Sequence, residues 1–156
     1  MSRSVACSFG FDSSALLTVG VGVDRHGHPN HSQHCIVRFD DRAMLSFQRL
    51  DVYRCAIEFL ALAMDLTTRL PKGYAALADQ FRRAALSVPL NIAEAAGRTS
   101  EADAARHHAI ARGSAMAWCA AIVDALALLS VMTDAEHHKA AELLARSVAM
   151  LTKLCR

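Results

Sequence analysis

From position 50 onward, apolar residues recur at alternating steps of three and four, the period of a helix with one buried face. Leu50, Tyr53, Ile57, Leu60, Met64 and Thr67 mark the core seam of a first predicted helix over about residues 50–69, ended by Pro71 and Gly73. A second helix is predicted over about 74–96, with Gly97 at the C′ position where a left-handed residue commonly closes a helix. Pro89 falls inside it. The missing N–H and the clash with the carbonyl of Ala85 predict a kink rather than an end, because the stripe continues to Arg98.

Ser100 with Asp103 resembles a capping box with Asp in place of Glu, opening a third helix expected to reach about Leu129. Its predicted seam is Ala111, Ala115, Trp118, Ile122, Ala125 and Leu129. Gly113 in its interior costs about 1 kcal/mol relative to Ala, which predicts a close approach of another backbone there. Thr133 and Glu136 form a full capping box for a fourth helix, with a seam of Ala141, Leu144, Val148, Leu151 and Cys155. Four such helices joined by short turns predict an all-α fold, an antiparallel up-down four-helix bundle over residues 44–156.

The second helix carries an unusual polar face. At about 100° per residue, Gln80, Arg83, Ser87, Asn91, Glu94 and Arg98 fall within roughly 80°, opposite Phe81, Ala84, Ala85, Val88, Ile92, Ala95 and Ala96. From Gln80 to Arg98, Arg82 is the one long polar side chain outside that arc. A solvated face usually reads as interchangeable Glu and Lys. A mixture of guanidinium, amides, hydroxyl and carboxylate reads instead as a polar network, with Gln80, Ser87, Asn91 and Glu94 as its structural members.

Residues 1–43 show no sustained period and hold four of the 7 glycines and one of the 3 prolines, so they read as an irregular, flexible arm. A strand pair of 16–23 with 35–39 is the alternative, and Met44 is a natural start codon if the upstream stretch is not translated. His26, His28, His31 and His34 read as a polar loop around Gly27, Pro29 and Asn30, with a metal-binding tract as the sharper alternative.

Composition adds limits. The chain is 53% hydrophobic but only 6% aromatic, so small aliphatic residues build a closely packed helical core. A net charge of +2 is too modest to argue for nucleic acid alone. Cys7, Cys35, Cys55, Cys119 and Cys155 are odd in number with no C-x-x-C pair, which suggests reduced thiols in a cytoplasmic protein and no zinc site. The apolar run at 15–23 is too short to span a bilayer, and no A-x-A site follows it, so neither a membrane anchor nor a signal peptide is expected.

Tyr74, Leu77, Gln80, Arg82, Arg83, Ala84, Ser87, Pro89, Asn91, Ile92, Ala93, Glu94, Gly97 and Arg98, followed by Ile110, Ala111, Arg112, Gly113 and Ser114, resemble the signature of the four-helix bundle family named after the 23S rRNA intervening sequence protein. The resemblance covers roughly residues 47–154. It implies a small bacterial cytosolic protein without enzymatic activity, with relatives encoded inside intervening sequences of some 23S rRNA genes. A related branch, the accessory variability determinants of diversity-generating retroelements, forms rings of five bundles that associate with a reverse transcriptase and nucleic acid. Ala95 stands where the family usually has Gly, and Ala117 where an acidic residue usually follows Gly-Ser. His107 and His108 stand where aromatic residues are common.

Three function classes are open to such a chain. The first is a non-enzymatic homo-oligomer, a pentamer by the resemblance, that binds RNA, DNA or a ribonucleoprotein partner. Its candidate nucleic-acid contacts are Arg82, Arg106, Arg112, Arg83 and Arg98, of which Arg83 and Arg98 are more readily absorbed in ion pairs with Glu94 or with an acidic group of a neighbour. The second is a homo-oligomeric scaffold whose polar stripe sets register without nucleic acid. The third, an enzyme, fares worst: the bundle has no Glu-x-x-His, Asp103 with His107 and Asp134 with His137 are lone pairs at helix ends, and Cys119 has no neighbouring base. No catalytic residue, metal, cofactor or small-molecule substrate is expected.

Overall fold

The computed structural model describes residues 44–156, so the expectations for residues 1–43, the strand pair and the histidine cluster among them, lie outside the described residues. A 3-10 turn at Ser46–Arg49 leads into four helices: α1 (Asp51–Thr68), α2 (Ala75–Ala96), α3 (Glu101–Leu128) and α4 (Asp134–Leu154). No strand occurs among the described residues. The helices share one apolar core, as a helical bundle does. Ala63, Ala85, Ala111, Ala115 and Ala140 are fully buried, so backbones approach closely around the largest core side chains. Of these, Phe59 and Phe81 meet edge to face with centroids 6.0 Å apart.

Helix ends obey local capping chemistry. Ser100 accepts from the Asp103 N–H at the start of α3, and Thr133 with Glu136 closes both halves of a capping box at α4. Gly97 is the C-cap of α2 with φ −88°, rather than a left-handed C′ residue. Pro89 lies inside α2 with the helix running on past it, as expected.

The seams need correction. α1 buries Val52, Cys55, Ala56, Phe59, Ala63, Leu66 and Thr67, so of the predicted seam only Thr67 is fully buried, while Leu50 is exposed and Tyr53 and Leu60 pack at the edge of the core. α4 likewise buries Ala140, Leu143, Leu144, Ser147 and Leu151, with Ala141 exposed and Val148 and Cys155 half-buried. The predicted seam of α1 follows Ile57, Leu60 and Met64, whereas the inward face carries Ala56 and Ala63 beside Phe59 and Leu66; in α4 the buried face includes Ala140, Leu143 and Ser147 in place of Ala141 and Val148. Ala96, the last residue of α2, is exposed, while the rest of its predicted inward face is buried.

In α3 the cause is different. Residues Ser114–Cys119 form a π segment, closed by the Ala120 N–H donating to the carbonyl of Ala115 five residues back. One extra residue in that turn rotates the remainder of the helix by about 100°. The core therefore passes from Ala111 and Ala115 to Cys119, Ile122, Val123 and Leu126, and Trp118 and Leu129 are turned outward. By length and composition α3 would qualify as a membrane span, but these six residues belong to the bundle core. Gly113, just before the π segment, has nothing within 4 Å of where a Cβ would stand, so among the described residues no backbone approaches it.

Candidate functional site

The polar stripe of α2 meets α3. Asn91 Nδ2 donates to the carbonyl of Ser87 at 2.9 Å and to its Oγ at 3.2 Å, which leaves Asn91 Oδ1 as an acceptor 3.2 Å from His107 Nδ1. That arrangement assigns the His107 proton to Nδ1. Ser87 Oγ lies 3.0 Å from Ser114 Oγ, at the first residue of the π segment. A neutral chain of four side chains thus joins the two helices. Ser87 and Asn91 were expected in a network; His107 and Ser114 were not, although two polar residues seven apart on one helix face mirror two that are four apart on the other. The neighbouring His108 has a buried Nδ1 without a partner among the described residues. Burial pulls its pKa below the usual histidine value, against the opposing pull of the Leu154 carbonyl.

Gln80 and Glu94 do not join this chain. Gln80 accepts from Arg83 at 3.1 Å, so Arg83 does not pair with Glu94, whereas Arg98 does. Arg82 turns away from the stripe towards α1: its Nε donates to Thr67 Oγ1 at 3.2 Å and its Nη1 to Asp79 at 2.9 Å. It lines an open cleft of about 230 Å³ where α1 turns into α2. Arg106 is exposed and Arg112 half-buried, and neither has a carboxylate partner among the described residues. Six positions apart, they stand about 240° apart around α3 and so on different flanks. Within one chain the candidate arginines are not brought together.

The same seam is apolar on its outside. Leu86 (41% exposed) and Leu90 (57%) lie one turn apart on α2, next to Ser87 and Asn91 and away from the core. On α3, Ile110 (43%) stands between His107 and Ser114, and Trp118 (53%) comes four positions after Ser114. Sequence periodicity placed Trp118 inside, and the π segment is what moves it out.

Groups suited to catalysis are dispersed. Burial pushes the Cys119 thiol up to about 12, which keeps it protonated and a poor nucleophile. The two helical Asp and His pairs are not pairs: His107 bonds Asn91, and His137 lies 3.1 Å from Asp124 rather than on Asp134. Among the described residues no three His, Cys, Asp or Glu side chains converge as a metal site.

A family model for the 23S rRNA-intervening sequence protein matches residues 48–153, from just before α1 to the last turn of α4. The chain belongs to that family. No curated protein matches it. In this member of the 23S rRNA-intervening sequence protein family, the matched stretch takes in the Ser87, Asn91, His107 and Ser114 network, the arginines and the outward apolar face.

Proposed function

We propose that this protein is a non-enzymatic, cytoplasmic helical bundle that assembles with copies of itself through the outer face of α2 and α3, and that the assembly serves an RNA-related role. The observation that carries the reading is the set of uncovered apolar side chains Leu86, Leu90, Ile110 and Trp118 beside one polar seam. Exposed apolar side chains grouped on one face, a Trp among them, are typical of protein interfaces. α2 and α3 run in opposite directions, since partners climb α3 from His107 to Ser114 as they descend α2 from Asn91 to Ser87, and this supports the antiparallel up-down arrangement. The family's name supports the RNA-related role. Scattered on one chain, Arg106 and Arg112 gain a shared surface only when copies assemble, and five copies of a +2 chain would carry about +10 (5 × 2). A scaffold without nucleic acid is the second reading, favoured by the local partners that Arg82, Arg83 and Arg98 already have.

Light scattering tests the assembly. The wild-type chain is expected to run as an oligomer, with five as the number to check, and Leu90→Lys with Trp118→Lys as a monomer of unchanged helix content. A monomeric wild type would sink the reading. Gel shifts with structured RNA across a salt series then separate the two branches, because phosphate binding weakens steeply with salt.

A further inference from the structure

We propose that the cleft between the end of α1 and the start of α2 holds the phosphate-bearing terminal nucleotide of an RNA strand, with the phosphate on Arg82 and Lys72 and the base against Tyr74. The proposal rests on the RNA-related part of the reading above but not on self-association.

The cleft is built around Arg82. Thr67, 6% exposed, donates its hydroxyl to the carbonyl of Met64 at 2.7 Å, which turns an oxygen lone pair towards Arg82 Nε at 3.2 Å. Asp79 takes Nη1 at 2.9 Å. The guanidinium is thereby held on two sides, and Nη2 has no partner among the described residues. A guanidinium fixed in this way needs little further ordering to bind an oxyanion. Lys72 lines the same cleft without a carboxylate partner among the described residues, and Tyr74, an exposed residue (39%), lines it too.

Charge and size select the ligand. Lys72 and Arg82 against Asp79 leave one net positive charge on the lining (2 − 1). A terminal phosphate carries about −1.5 to −2 at neutral pH, more than the single charge of a phosphate inside a strand, so two cations favour the end. The open cleft, about 230 Å³, has room for a phosphate with its sugar. An aromatic ring at its rim offers a stacking surface to a base of any identity. Asp79 opposes the ligand and also occupies part of the Arg82 fork, which gives the proposal a sign to test.

The experiment compares short single-stranded RNAs of one sequence bearing a 5′-phosphate, a 3′-phosphate or hydroxyl ends, titrated into the full chain by fluorescence anisotropy. A phosphate at one of the two ends is expected to tighten binding about tenfold. Arg82→Ala and Lys72→Ala should each remove most of that preference, so that phosphorylated and hydroxyl-ended strands bind alike. Asp79→Asn should enlarge it about threefold, and Tyr74→Leu should weaken the phosphorylated strand about fivefold. Arg82→Lys keeps the charge and loses the fork, and covers the case in which Arg82→Ala perturbs the corner. Equal affinity for all three ends, a preference that survives Arg82→Ala and Arg82→Lys, or an Asp79→Asn change that weakens binding would overturn the proposal. Light scattering on the same samples keeps the two readings apart. A monomer that prefers a phosphorylated end sinks self-association alone, and an oligomer indifferent to the end sinks the cleft alone.

Discussion

At the seam between α2 and α3 the helices are joined by neutral groups, whereas at the corner where α1 meets α4 they are joined by charge. The corner holds Arg69 between two carboxylates: Nη2 lies 2.8 Å from Glu136 Oε1 and 3.0 Å from Asp65, and Nη1 lies 3.3 Å from Glu136 Oε2. Glu136 Oε2 also accepts from the Thr133 N–H and hydroxyl, so one carboxylate serves as helix cap and as interhelix anchor. The Arg69 and Glu136 side chains are 27% and 25% exposed, and water can replace either partner in part. In the seam each member is the sole interhelix partner of the next, and removing one leaves another unsatisfied at a half-buried position. A neutral chain is therefore the more brittle of the two, though its individual bonds are weaker.

Asn91→Leu puts that contrast under the greatest strain. It keeps the volume and deprives both His107 Nδ1 and Ser87 of a partner, so a loss of about 2–3 kcal/mol is expected. Urea unfolding with an unchanged slope would measure it. A loss below about 1 kcal/mol would mean that water enters the seam as readily as the corner, and the contrast would fail.

What could be read in advance divides along the same line. The starts of α3 and α4 are legible because capping depends on residues three apart, Ser100 with Asp103 and Thr133 with Glu136, and needs no knowledge of neighbours. The Arg98 with Glu94 pair is legible for the same reason. Seams depend on how far helices rotate against one another, and there the larger side chains misled: Ile57 and Met64 are half-buried, while Ala56 and Ala63 are buried. Polar partners on another helix, such as Thr67 for Arg82 and His107 for Asn91, left no mark in either helix alone. The π segment hides most completely, since no residue from Ser114 to Cys119 breaks the ordinary period, and with it went the outward position of Trp118.

A smaller effect is expected at the corner, and it carries a dependence on pH. Arg69→Ala should cost about 1 kcal/mol, because the pair is bidentate and mostly shielded yet still reached by water. The Arg69 hydrogen bond, helped by Thr133, holds the Glu136 carboxyl below its ordinary value. A carboxyl whose folded pKa is depressed contributes stability above its unfolded value of about 4.3, and that contribution disappears as pH falls through the folded value. Unfolding free energy measured from pH 6 downward should thus fall less in Arg69→Ala than in the wild type once pH passes about 4.3. The depressed pKa of His108 acts in the same direction but begins higher, below about 6.5, and is shared by both proteins. Parallel curves below about pH 4.3 would remove the charge from the account of this corner.

Gly113→Ala should have the smallest effect on the single chain, and of opposite sign. The residue has ordinary helical geometry, is exposed, and has open space where the Cβ would go, so Ala should stabilise by about 0.5–1 kcal/mol. A glycine that weakens its own helix without a neighbour to accommodate invites the question of what lies outside. It precedes Ser114, the α3 end of the neutral chain, and lies between Ile110 and Trp118. If copies pack on this face, the added methyl should raise the unfolding midpoint of the monomeric background carrying Leu90→Lys and Trp118→Lys while loosening the oligomer formed by the otherwise wild-type chain. The two signs together distinguish a glycine kept for an interface from one that is merely tolerated. Stabilisation in both backgrounds would place the contact between copies elsewhere on the bundle, and would leave the seam as an internal joint between two helices.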